Sequence, residues 1–316
     1  MSTKRRKTGG FNLKRLLDEF LKLNWKKVND EALKSIIITI VGDEMTSSKV
    51  INALETTTYD FLGRKYKLQK KLTDDAKTML ISVPVDKIND NKNILDNSDI
   101  IIVDYRFLTE VRSKLNKFYI FNSETENDTL FEKIISENES IEHALSYNYP
   151  VFRTYVARKT ITTASFINAA WVAGTALPNT IPGPHEIYTA PIEAVSDFAV
   201  LTLNETRMIF ILSSVSGRRV NPITLIPEIL IMLGGAKGAQ MLATQIVGKV
   251  PAGAGLALKT AIAFAFTYAI GEAAYLNLNF GITFDKNIIK KRVDELKEFS
   301  EKMVNDILKK SAKEKS

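Results

Sequence analysis

The chain has 316 residues, 45% of them hydrophobic, a formal charge of +7 and no cysteine. That length suits two domains of ordinary size and that apolar content a sizeable core. The missing cysteine excludes disulfides, thiolate chemistry and cysteine-ligated metals, and neither histidine, His143 or His185, has a second histidine at helical ligand spacing.

The basic excess is uneven. It sits at the head (Lys4 to Lys7) and near the tail (Lys290, Lys291, Arg292, then Lys309, Lys310, Lys313 and Lys315). Such a balance fits nucleic acid, anionic lipid or plain solubility. Residues 1–10 read as a disordered tail without an apolar signal core. Residues 11–25 place Leu13, Leu16, Leu17, Phe20 and Leu21 at helical spacing, an amphipathic helix that must dock on something.

Four short apolar runs follow: Ser35–Val41, Met79–Val83, Ile100–Val103 and Phe118–Phe121, separated by polar helical stretches. Continuous apolar strands interleaved with helices predict a buried, largely parallel sheet. The first run ends in Gly42, followed by a helical pattern through Leu54. Strand, glycine turn, helix is the setting of a phosphate-binding loop. The motif is broken here. Gly42 stands at the first glycine, but Ser47 replaces the second, Ser48 the lysine and Lys49 the hydroxyl residue, while Asp43 and Glu44 add negative charge.

From Thr160 to His185 no residue carries formal charge, and charges stay sparse to Phe284. This predicts apolar helices, with Pro178, Pro182, Pro184 and Pro191 in the loop between them. Asn221 and Pro222 read as N-cap and first helical residue of a helix over 222–247. After a break at Val250–Gly255, a helix over Leu256–Tyr275 carries the small-residue row Gly253, Ala257, Ala261, Ala265, Ala269. Such a row lets another helix approach closely, and 222–247 is the expected neighbour. A helix apolar nearly all round is buried in protein or in lipid, and the sequence leaves both open. Residues 286–310 predict a charged amphipathic helix with Ile289, Val293, Leu296, Met303 and Ile307 on one face.

Two resemblances follow. Ile37–Leu54, with Ser98–Val103, resembles the opening of an Era-like small GTPase. Phe118–Thr125 falls where that family reads guanine, but of its Asn-Lys-x-Asp only Asn122 matches; Ser123 and Thr125 replace the lysine and aspartate. Asp86 stands as a remnant of the metal-sensing Asp-x-x-Gly. The second half is similar to a bacterial domain of unknown function found in YcjF-like inner-membrane proteins and at the end of certain Era-like GTPases. The matching residues are Phe152-Arg153, Ala157-Arg158, Ala164, Asn168-Ala169, Pro182-Gly183-Pro184, Leu201–Ile209, Gly217 and Lys249–Gly255.

These resemblances imply an α/β P-loop-type, GTPase-like N-terminal domain followed by an all-α apolar helical domain. The expected divisions are a tail over 1–10, a degenerate GTPase-like domain over 11–150, a YcjF-like helical domain over 151–284, and a charged helix and tail over 285–316. They imply a pseudo-GTPase that regulates or scaffolds at the cytoplasmic side of a membrane, with anionic lipid and an unnamed protein as partners. An atypical active GTP-binding protein and a soluble cytoplasmic scaffold are the alternatives. The expected vestigial nucleotide site is Gly42, Ser47, Ser48, Lys49 and Asn122, with GTP and magnesium disfavoured, no catalytic residues, no metal and no nucleic acid; an oligomer is compatible.

Overall fold

A computed structural model describes residues 25–125, 127–174, 197–221, 223–225, 256–283 and 285–313. The elements are α1 (Trp25–Ala32), β1 (Ile38–Val41), α2 (Glu44–Leu54), β2 (Thr56–Phe61), β3 (Arg64–Gln69), α3 (Asp74–Thr78), β4 (Leu80–Val83), α4 (Lys92–Asp96), β5 (Ile100–Asp104), α5 (Leu108–Val111), β6 (Tyr119–Phe121), α6 (Asp128–Glu137), α7 (Glu142–Asn148), α8 (Arg153–Ala173), α9 (Asp197–Val215), α10 (Leu256–Phe280) and α11 (Lys286–Lys313). The chain divides into two compact units. Among the described residues, one comprises 26–157 with 214–219; the other comprises 25, 158–174, 197–213, 220–221, 223–225, 256–283 and 285–313.

The first unit is an α/β layer structure. Its four predicted strands form one parallel sheet in the order β4-β1-β5-β6, with Ile38 level with both Leu80 and Ile100. Apolar side chains point to both faces, because strands in such a sheet are covered on both sides. Val41, Val83 and Val103 pack on one face with Val85, Ile88, Leu95 and Val111. Ile38, Ile40, Ile100 and Ile102, one residue out of phase, are equally buried. Thr39 is the polar exception inside β1, and its hydroxyl meets Ser98 Oγ at 2.6 Å.

The sequence reading missed the antiparallel hairpin β2–β3. The chain turns at Leu62-Gly63, both with positive φ (52° and 75°). Its inner row, Thr57, Tyr59 and Phe61, is buried, while β3 is largely exposed. That alternation was the available signal, with Gly63 as the turn; the lysines of β3 hid it.

The second unit is helical among its described residues. α10 begins at Leu256 as expected and runs five residues past Tyr275, to Phe280. Among the described residues α11 packs on its small-residue row: Ala265 and Ala269 lie against Ile289, Val293 and Leu296. The expected neighbour 222–247 lies almost wholly outside the described residues. Asn221 caps as predicted, its Oδ1 accepting from Ile223 N at 3.0 Å. The tail 1–10, the helix 11–24, the proline-rich loop and the break at 250–255 also lie outside the described residues.

Candidate functional site

The parallel sheet reverses its order beside β1. The connection after β1 leads to β4 on one side, and that after β5 leads to β6 on the other. In open α/β sheets ligands bind at the carboxyl ends of the strands at such a switch point. Here that position holds Asp43 after β1 and Asp104 at the end of β5, joined by Thr46 and Arg106.

Gly42 makes the turn after β1, as expected, but α2 starts at once. Asp43 is its N-cap and Glu44 its first residue. Ser47, Ser48 and Lys49 therefore lie inside the helix, not at its opening. A phosphate loop needs intervening residues whose free N–H groups wrap an anion. In this chain Ser47 N is already bonded to Asp43 O at 3.1 Å, and Thr46 N donates to Asp43 Oδ1 at 2.7 Å. A Cβ on Gly42 would lie 2.7 Å from Thr46 Cβ, so the turn and the helix are packed without room for a larger residue.

Arg106 closes the cluster. Its Nη2 donates to Asp104 Oδ2 at 2.8 Å, to Thr46 Oγ1 at 2.9 Å and to Asp43 Oδ1 at 3.1 Å. Thr46 Oγ1 sits 2.7 Å from Asp43 Oδ1 and 2.8 Å from Asp104 Oδ2. It has one proton, so it serves one carboxylate at a time while accepting from Arg106. Hydrogen bonds from the Thr46 side chain and backbone, then from Arg106, hold the Asp43 carboxyl down at about 2. Burial pushes the Asp104 carboxyl up, but hydrogen bonds from Arg106 and Thr46 outweigh it and leave the net shift downward. Hydrogen bonds to Asp104 and Asp43 push the Arg106 guanidinium up. Both carboxylates stay ionised near neutrality, unlike a general base tuned close to the working pH.

The other expected site residues are scattered around this centre. Lys49 is exposed on α2 and Asp86 is exposed after β4. Asn122 follows β6 on the same sheet edge, where its Oδ1 accepts from Glu124 N at 3.0 Å. Its backbone is gripped by Asn127, whose Oδ1 takes Asn122 N at 2.9 Å and whose Nδ2 donates to Asn122 O at 2.8 Å. The Asn122 side chain thus folds its own loop. Thr46, Asp104 and Arg106 went unnoticed in the sequence because the motif reading fixed on spacing from Gly42. The Val103-Asp104 step at the end of a predicted strand was the signal for one of them.

A second polar cluster lies inside the helical unit. Asn168 on α8 donates to Thr267 Oγ1 on α10 and accepts from Asn204 Nδ2 on α9, both at 2.9 Å. Arg207 Nη1 reaches Asn204 Oδ1 at 3.4 Å, and Thr267 Oγ1 reaches Glu205 Oε1 at 3.5 Å. All five are buried, and burial pushes the Glu205 carboxyl up to about 8. This chain of amides and hydroxyls ties three helices in one register, because a buried polar group must find its partner.

Among the described residues no group of three or more His, Cys, Asp or Glu is placed to hold a metal ion. Ala257–Phe280 is long and apolar enough to cross a membrane, and 72% of its most apolar window is buried within the protein. Compared with known proteins, the chain matches no family model, no curated protein and no solved structure.

Proposed function

We propose that this chain is a regulatory or scaffold protein acting at the cytoplasmic side of a membrane, and that its α/β unit is a GTPase-type domain without nucleotide chemistry. The observation that carries the reading is the carboxylate of Asp43 on the first turn of α2. In a nucleotide-binding domain of this type, that helix end receives the phosphates, because its N–H groups and dipole attract negative charge. A protein carboxylate already caps it here, and a phosphate arriving beside it would meet a second anion. The lysine of the binding loop is also absent, since Lys49 sits one residue along. A one-residue shift turns a helical side chain by ~100°. Arg106 supplies the cation that two adjacent carboxylates require, in a place where a nucleotide-binding domain uses magnesium. A domain satisfied in this way is held in one conformation and offers its surface, not a reaction.

Isothermal calorimetry with GTP and magnesium tests the proposal. No heat of binding is expected at micromolar nucleotide, since the loss of one such charge-stabilising contact alone is worth ~3–4 kcal/mol. Micromolar affinity, or turnover that vanishes in Lys49→Ala, would favour the atypical active GTP-binding protein instead.

The extent to which protein covers α10 favours a peripheral attachment, and it equally supports a second reading, a soluble cytoplasmic scaffold. Fractionation of cells into membrane and soluble pools separates the two. Release from the membrane pool by salt supports peripheral attachment, and full recovery in the soluble pool without detergent supports the soluble scaffold.

A further inference from the structure

A dense run of positive charge lies on β3 and just past its end. Arg64, Lys65, Lys67, Lys70 and Lys71 are five cations within eight residues, and all five are exposed. Asp60 is the one carboxylate along the facing β2, level with Lys65. Among the described residues none of the five cations makes an ion pair; Arg64 instead lies over the Tyr66 ring at 5.0 Å. β3 pairs with β2 along one side, and among the described residues no strand pairs with its other side. Behind Lys70 the same sign continues. Partial desolvation of the otherwise exposed Lys70 side chain, then the charges of Arg153 and Arg218, lowers its ammonium from its usual range.

We propose that the free edge of this hairpin is the surface by which the protein meets an anionic lipid bilayer. This rests on the membrane reading above and names the contact. Clusters of four to eight basic residues are attracted to acidic headgroups, and each adds to the binding. The chemistry suits a diffuse layer of phosphates. Four of the five cations are lysines, mobile point charges rather than planar forks, which suit many loosely placed phosphates better than one fixed partner. On β3 Lys65 and Lys67 share one face, opposite the face of Tyr66 and Leu68, and Lys70 and Lys71 follow just past the strand's end, so the lysines form a row along the free edge. Single-stranded nucleic acid would also need exposed aromatic faces for stacking. Tyr66 is half-buried with Arg64 already over its ring.

Such lysines also guard an edge strand against pairing with other chains, and the experiment separates the two roles. Full-length protein is sedimented with phosphatidylcholine vesicles, with and without added phosphatidylglycerol, beside the triple variants Lys65→Gln/Lys67→Gln/Lys71→Gln and Lys65→Arg/Lys67→Arg/Lys71→Arg. The expected result is binding to the anionic vesicles alone, weakened by salt, lost about tenfold to a hundredfold in the glutamine variant and retained in the arginine variant. Thermal melting confirms that the exposed substitutions leave the fold intact. If wild-type protein binds anionic vesicles and the glutamine variant binds them equally, the hairpin assignment is overturned while the membrane reading stands. Self-association of that variant with unchanged vesicle binding would identify the lysines as edge guards. If wild-type protein ignores anionic vesicles, both readings fall, and capture of single-stranded RNA through the same lysines would replace them.

Discussion

Arg292 on α11 grips Glu272 on α10 with two nitrogens, Nε to Oε2 at 2.6 Å and Nη2 to Oε1 at 2.8 Å. Glu272 is 2% exposed and Arg292 20%, so the pair straddles the boundary between core and water. The arrangement pins two helices whose sequences look unlike partners, one nearly uncharged and one heavily charged. Its two parallel hydrogen bonds fix the rotation of α11, which turns Val293 and Leu296 onto Ala265 and Ala269.

Arg292→Ala should therefore destabilise the protein, by up to ~3–5 kcal/mol, because it strips a two-bonded counter-charge from the buried Glu272. The double variant Glu272→Gln/Arg292→Met should recover much of that loss. Urea unfolding of the three proteins measures both. Equal stability of Arg292→Ala and wild type would mean that the pair is solvated in solution.

The small-residue row on α10 has a definite depth. Ala265→Leu places a larger side chain against Val293 and Leu296 and should cost ~1–3 kcal/mol by overpacking. Gly271→Ala tests the side of α10 that meets α8 and α9. A Cβ there would lie 2.8 Å from Ile161 and 2.9 Å from Met208 Sδ, so destabilisation of similar size is expected even though Met208 can bend. Thermal melting reports both, and an unchanged midpoint for Ala265→Leu would refute the close helix contact.

The tip of the basic hairpin should carry removable strain. Leu62 has φ of 52°, a conformation that leucine adopts at a cost of ~1–2 kcal/mol. With Gly63 following at φ 75°, both tip residues are left-handed, as in the two-residue turns that prefer Asn-Gly. Leu62→Asn should raise stability by about 1 kcal/mol, less whatever packing the half-buried leucine supplies. A drop in the melting midpoint would show that the packing of Leu62 outweighs its backbone strain.

Two buried groups set opposite pH dependences. Burial raises Glu205 from 4.5 to about 8, so its neutral form is the one the fold holds. Its contribution is fully present below pH 4.5 and is lost as the pH rises from there through about 8. Burial lowers His143 from 6.5 to about 4, and its Nε2 lies 3.1 Å from Ser214 Oγ. That contribution is fully present above pH 6.5 and is lost as the pH falls through about 4. Unfolding free energies across this range should fall off on both sides. Glu205→Gln should flatten the alkaline side and leave the acid side alone, and an unaltered alkaline limb would reject the assignment to Glu205.

What the sequence determined by itself was local and periodic. Four apolar runs were enough to place Ile38–Val41, Leu80–Val83, Ile100–Asp104 and Tyr119–Phe121 as strands of a parallel sheet, because burial on both faces leaves an uninterrupted apolar signature. The start of α10 at Leu256 and its apolar surround were legible in the same way, though not whether protein or lipid covers it. The tertiary structure decided what depends on residues distant in the chain. Asp43 and Arg106 are 63 positions apart, and no spacing rule joins them; the parallel pairing of β1 with β5 carries both to one sheet edge. The partner of the alanine row was likewise open, since a small-residue ridge states that a helix comes close without stating which. Among the described residues α11 lies on that row, held by Arg292 and Glu272, a charge pair whose two halves, read singly, looked like ordinary surface residues.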